Sequence, residues 1–189
     1  MVKFSLENLK SKFIKEKYIC GIDIGSSSVK TVKVKIAKDI LELENCACYP
    51  LDPNLIDTIK KIKAEFSIES AVISFSGTST VVRYAQFPKM TREELAQALR
   101  FEAQKYIPFT LSDTYVDGYI LKDDLPGNKM SILIAAVKKE LVNQRLKMFE
   151  DAQLKVEIAD LDSLACANSF LLNYSDDPLV SQKAVALLN

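Results

Sequence analysis

Asp23 stands two residues before Gly25 in the run G-I-D-I-G-S-S-S-V-K at residues 21–30, and Ser26, Ser27 and Ser28 follow at once. A carboxylate, a glycine and a row of hydroxyls are the parts needed to hold a phosphate and the metal ion that balances its charge. Glycine lets the backbone turn where a side chain would obstruct, and it leaves room for a phosphate to approach. Asp23 suits magnesium held through its coordinated waters. Lys30, just past the turn, adds a positive charge nearby. The flanking segments 18–24 and 29–36 read as strands, so the motif is a tight hairpin. It is neither a P-loop nor a dinucleotide fingerprint: the GxxxxGK[ST] spacing is missing, and the turn leads into a strand where those motifs lead into a helix. An ordinary Gly-Ser turn between core strands uses the same residue types, so the motif alone is only moderately specific.

Composition narrows the chemistry further. The 189 residues carry 25 basic and 25 acidic side chains, for a formal net charge of zero. A protein that tracks nucleic-acid phosphates shows a basic excess or patch, so the balance argues against that role. Histidine is absent, which excludes histidine-held zinc and Ser-His or Cys-His nucleophilic machinery within this chain. Any metal here is a hard ion held by carboxylate, water and substrate phosphate. Cys20, Cys46, Cys48 and Cys166 make no CxxC pair and lie in apolar surroundings, which reads as buried free thiols. No apolar run is long enough to cross a bilayer as a helix, and no secretion signal opens the chain. These features together read as a cytoplasmic protein.

The elements that must position the hairpin follow from periodicity. Val2, Leu6, Leu9 and Phe13 predict a short amphipathic helix over 2–14. Strands are expected at 18–24, 29–36 and 41–49, a helix at 54–66 and a buried strand at 70–75. From Gly77 the pattern restarts, with a strand at 80–87 stopped by Pro88. In M-T-R-E-E-L at 90–95, Thr91 caps a helix, Glu94 completes a capping box and Met90 staples against Leu95; this helix runs to about Tyr106. Strands at 115–121 and 130–137 flank the turn D-D-L-P-G-N. A helix at 138–152, a strand at 154–158 and a helix at 162–174 complete the pattern. Residues 78–158 thus read as an α+β unit inserted into an outer α/β unit. Asp160 and Asp162 either border the cleft or cap the following helix.

The chain resembles the actin, Hsp70 and sugar-kinase superfamily, and within it the type IV pilus assembly protein M (PilM) family, a relative of the cell-division protein FtsA. The resemblance rests on C-G-I-D-I-G-S-S-S-V-K-T-V-K at 20–33, F-P-K-M-T-R-E-E-L-A-Q-A-L-R-F-E-A-Q-K-Y-I-P-F at 87–109, L-I-A-A-V-K-K-E at 133–140 and D-L-D-S-L-A-C-A-N-S-F at 160–170. It implies an α/β, actin-like (ribonuclease H-like) fold: a mixed-sheet subdomain 1A at 18–77 and 159–189, an inserted subdomain 1C at 78–158, and an N-terminal segment at 1–17. Asp23, Gly25, Ser26, Ser27 and Ser28 fall on the family's first phosphate motif, with Lys30 beside it and Asp23 as the metal-side carboxylate. ATP and magnesium are the cofactors implied for a complete member.

The resemblance also implies a partner. PilM-like proteins sit at the inner face of the cytoplasmic membrane and capture the cytoplasmic tail of the membrane protein PilN in a groove associated with 1A and 1C. Membrane association is then peripheral and runs through partners. Candidate contact residues are Phe87, Phe101, Ile107 and Phe109, with Phe101 open to the plainer reading of a wide core face. A complete member has a second lobe with its own phosphate loop. The run K-A-V-A-L-L-N at 183–189 looks like that lobe's opening strand, with Asn189 where the second glycine turn is approached. Half a clamp is expected to bind ATP weakly or not at all. The alternatives are the N-terminal half of an actin-like ATPase or kinase, and a self-associating cell-division filament protein.

Overall fold

The computed structural model describes residues 17–37 and 40–187. The helix expected at 2–14 and the position of Asn189 lie outside the described residues. The chain divides into two compact units, one formed by the stretches up to Ser76 and from Leu146 onward, the other by Gly77–Arg145.

The first unit is built on a five-stranded mixed sheet in the order β3-β2-β1-β4-β8. Strand β1 (Lys17–Ile24) turns back as β2 (Ser28–Ala37), and β3 (Ile40–Pro50) extends the antiparallel meander to the sheet edge. The register shift between Lys33 and Val34 leaves Glu44 as the extra residue of a bulge in β3. Such a bulge twists an edge strand and blunts further pairing. Helix α1 (Leu55–Phe66) buries Ile59, Ile62 and Phe66 at helical spacing together with Thr58, while Leu55 and Ile56 of its apolar stripe are half-buried. Ser67 ends it in the left-handed conformation at φ 49°. The Lys33 ammonium donates to the Phe66 carbonyl at 3.1 Å and pairs with Glu44 at 3.4 Å, so a cation sits where the helix dipole favours one.

The crossover through α1 makes β4 (Ser70–Phe75) parallel to β1. Strand β8 (Lys155–Leu161) adds parallel to β4 on its other side. Alternate residues Cys20, Ile22 and Ile24 of β1 and Ala71, Ile73 and Phe75 of β4 are buried, while the opposite face is half-buried. Helix α4 (Asp162–Tyr174) follows β8 directly, and the short α5 (Pro178–Gln182) follows α4.

The second unit is a three-stranded antiparallel sheet, β5-β7-β6, with helix α2 (Arg92–Glu102) packed on one face. Strand β5 (Thr80–Pro88) and strand β6 (Thr114–Leu125) both pair with the central β7 (Lys129–Lys138). Met130, Ile132, Ile134 and Ala136 of β7 point into a core completed by Val81, Ala85, Phe87, Leu95, Leu99, Ala103 and Ile107. The capping box of α2 is fully formed: Glu94 N–H donates to Thr91 Oγ1, and Thr91 N–H donates to Glu94 Oε2. Met90 packs against the same core. Helix α3 (Lys139–Asp151) follows β7, and the division between the units falls within it.

Three expectations from the sequence are corrected. The strand expected to close the inserted unit at 154–158 is β8, which joins the first sheet beside β4, so the inserted unit ends at Arg145 and not at 158. A lone apolar strand satisfies its backbone wherever a partner edge is open, and β4 offers a parallel one. Residues 183–187 form no strand, and Val185 and Leu187 are exposed. Cys20 is buried and Cys166 half-buried, but Cys46 and Cys48 are exposed because they ride on the edge strand β3.

Gly118 of β6 tests the packing of the second unit. A Cβ placed there would lie 2.5 Å from Leu99 Cδ1 and 3.5 Å from Leu95 Cδ2, both side chains being buried. Gly118→Val therefore overpacks the α2–sheet contact and should cost about 1–3 kcal/mol. Urea unfolding followed by far-UV circular dichroism measures it, and an unchanged midpoint would show that α2 does not pack on β6 this closely.

Candidate functional site

The hairpin that opens the chain's chemistry is tight because its own backbone closes it. Gly25 N–H donates to the Ser28 carbonyl at 3.0 Å, and Leu51 N–H donates to the Ser27 carbonyl at 3.0 Å. A Cβ on residue 25 would stand 3.3 Å from the Ser28 oxygen, a close approach within the turn. Ser26 and Ser27 are exposed at its tip and Ser28 is half-buried at the start of β2. The hydroxyls of residues 26 and 27 thus face solvent, and the Gly25 amide is already engaged within the turn.

Asp23 lies at the carboxyl end of β1, on the half-buried face of the sheet. Its Oδ1 accepts a hydrogen bond from Ser74 Oγ at 2.7 Å, and its Oδ2 lies 3.5 Å from the Lys30 ammonium. Lys30 pairs with Asp23 in the β1–β2 register, so the strand direction does bring it to the site. Ser74 in turn is the register partner of Asp160 on β8. The ends of three adjacent parallel strands therefore place Asp23, Ser74 and Asp160 in one row. The carboxyl ends of parallel strands are where α/β sheets present ligand-binding groups.

Asp160 is held differently from Asp23. Burial pushes its carboxyl up to about 6, against a hydrogen bond from Leu161 N–H at 2.6 Å that acts to lower it. Neither Asp160 nor Asp162 caps α4: its N-cap is Leu161, with no side-chain cap, and Asp162 accepts from the adjacent Ser163 N–H. Ser74 was not anticipated as part of the site. The signal available in the sequence was a hydroxyl at the end of the otherwise apolar strand S-A-V-I-S-F. Among the described residues no group of three or more Asp, Glu, Cys or His side chains converges in a way that could hold a metal ion directly.

The residues expected to meet a partner separate into two kinds. Phe87 and Ile107 are each 5% exposed and belong to the core of the second unit. Phe87 alternates inward along β5 and lies with its ring centroid 5.8 Å from that of Tyr106, so its side chain is closed to a partner. Phe101 is 77% exposed on α2, which sets aside the wide core face as its explanation. Phe109 is half-buried and lines a cleft of about 490 Å³ with Pro108, Thr110, Lys138, Lys139 and Glu140. The Lys138 ammonium stands 5.0 Å from the Phe109 ring centroid, and Lys139 Nζ donates to the Ser112 carbonyl at 2.6 Å. This cleft pairs an aromatic wall with the cations Lys138 and Lys139 and the carboxylates Asp113 and Glu140.

Comparison with known proteins places this geometry. A solved PilM–PilN type IV pilus biogenesis complex superposes with a TM-score of 0.74 at 25% sequence identity, over 85% of this chain and 52% of the matched chain. The cytoplasmic domain of EpsL, an inner-membrane component of the type II secretion system of Vibrio cholerae, superposes with a TM-score of 0.58 at 10% identity, over 79% of this chain and 59% of that one. At that identity the second likeness speaks for the fold alone. This chain spans about half the length of the solved PilM-type chain. The fold is mixed α/β and actin-like, built on a mixed sheet. The family model for type IV pilus assembly protein PilM matches residues 21–188, from the hairpin strand β1 through both units, and the chain belongs to that family.

Proposed function

We propose that this chain acts as a cytoplasmic scaffold of a type IV pilus assembly complex, holding the cytoplasmic tail of a PilN-like membrane protein. The observation that carries this reading is the family match over residues 21–188, together with the likeness to a PilM solved with PilN. The five-stranded unit corresponds to subdomain 1A and the Gly77–Arg145 unit to subdomain 1C. No described helix is long and apolar enough to cross a membrane, and in this reading attachment runs through the partner. On the 1C-like unit, the Phe109 cleft and the exposed Phe101 are the contact candidates. The cleft's apolar wall takes a side chain of an extended tail, while its mixed lining of Lys138, Lys139, Asp113 and Glu140 offers hydrogen-bond partners to the tail's backbone.

ATP with magnesium is the ligand this fold implies, and the residues fit one side of it. Asp23 can hold a hydrated cation through water, and Lys30 and the exposed serine hydroxyls can meet phosphate oxygens. Bound ATP–magnesium would supply a charged link between this sheet and the rest of a complete clamp. Nothing in this row encloses a base or ribose, which supports weak binding by this chain alone. Asp160 beside Ser74 favours its protonated form at mildly acidic pH, and its burial opposes ionisation at neutral pH.

Two measurements test these assignments. Calorimetric titration of the chain with a synthetic peptide of the PilN-like protein's cytoplasmic tail should saturate, and Phe109→Ala and Phe101→Asp should each weaken it about tenfold. Absence of heat and of saturation at millimolar peptide counts against the scaffold reading. For Asp160, the sign follows from a folded carboxyl at about 6 against an ordinary value near 3.8. The folded state binds the extra proton, so stability is highest below about pH 4, falls as pH rises to about 6 and is level above that. Asp160→Asn should therefore raise the melting temperature by a few degrees at pH 7.5, after discounting for solvent screening, with the difference vanishing near pH 4. A pH-independent difference would remove the assignment of a raised carboxyl.

A further inference from the structure

Within the second unit no described element covers the sheet face opposite α2, and that face has the shape of a trough. Its floor runs along the central strand β7 through Leu133 and Ala135, both half-buried. Leu133 is the register partner of Tyr84 on β5 and of Tyr119 on β6. Tyr84 is 75% exposed and Tyr119 50% exposed, so an aromatic wall stands on each edge strand with a smaller side chain between them. Two strand spacings separate the walls by about 10 Å, close to the diameter of a helix with its side chains.

Charge and size select the occupant. Asp117, the register partner of Ala135, brings a carboxylate onto this face. Its Oδ1 accepts only from the adjacent Gly118 N–H at 2.8 Å, and among the described residues it makes no ion pair. The cations at this edge are turned to aromatic rings: Arg92 lies 5.9 Å from the Tyr119 centroid and Lys139 5.6 Å from that of Tyr115. A single helix matches the roughly 10 Å width between the two tyrosine walls.

We infer that the Tyr84–Leu133–Tyr119 face is a docking trough for one amphipathic helix of a partner protein, with small or aliphatic residues facing β7 and a lysine or arginine facing Asp117. Tyrosines suit this role, since they supply rigid apolar area with little rotamer entropy to lose and keep a polar tip in water. The trough is separate from the Phe109 cleft in its residues, and it stands whether or not that cleft binds a membrane-protein tail.

The test uses the full 189-residue chain, ¹⁵N-labelled, titrated with a stapled 14-residue helix carrying alanine and leucine on one face and lysine along its flank. Amide shifts should saturate and concentrate on β5, β6 and β7 around residues 82–84, 117–119 and 133–135. Asp117→Lys should weaken binding about fivefold or more, and the same helix with glutamate replacing lysine should not bind. Tyr84→Ser, an exposed change that leaves the core intact, should also weaken it and serves as the variant least able to disturb folding. Shifts centred elsewhere, equal binding of the acidic helix, or insensitivity to both substitutions would overturn the proposal. So would a concentration-dependent dimer in sedimentation that Tyr84→Ser abolishes, because the occupant would then be a second copy.

Discussion

The parallel pairing of β4 with β8 is the constraint on which the rest depends. It joins residues 70–75 to residues 155–161, so everything between must leave the sheet edge and return to it. Closing so long a loop costs only slowly more as the loop lengthens, and a compact unit with its own core can therefore occupy the gap. The return also sets Asp160 beside Ser74, and Ser74 reaches Asp23. Without that pairing the row of polar groups at the sheet's carboxyl end would lose its third member, and α4 would have no fixed origin.

The two units solve the same problem with different means. In the first, a mixed sheet is covered by α1 on the face of Ile22 and Ile73, and Lys33 ties the end of α1 to both β2 and β3. Its other face stays half-buried and carries the polar row. In the second, an antiparallel sheet needs only α2 to cover one face, and Gly118 is the position that lets Leu99 approach closely enough. Antiparallel sheets tolerate one solvated face. Here that face carries exposed tyrosines beside the carboxylate of Asp117, which is why it reads as a surface for another protein.

Local signals were legible in proportion to how local their physics is. The capping box of α2 involves only residues 91–94 and formed as its residue types require. The Gly25 turn closes through Ser28, three residues away. The stripe of α1 emerged from its spacing alone. The aromatic residues of 87–109 were harder. Phe87, Phe101, Ile107 and Phe109 look alike as apolar positions, yet two are core, one is fully presented and one lines a cleft. Their fates depend on which side of a strand or helix meets the sheet, and that is decided by contacts distant in sequence.

The sequence by itself determined the family, the tight glycine hairpin and the existence of an inserted unit, because each is written in residues close together along the chain. Tertiary structure alone decided that β8 belongs to the first sheet, that Cys46 and Cys48 are exposed, that Ser74 joins Asp23, and that Asp160 resists ionisation. The physical reason is common to all four. Strand order, edge position and burial are properties of pairings between segments, and an isolated segment carries no record of which neighbour it meets. The hairpin's residues are close together in the sequence, but the hydrogen-bond partner of Asp23 comes from a strand 51 residues further along.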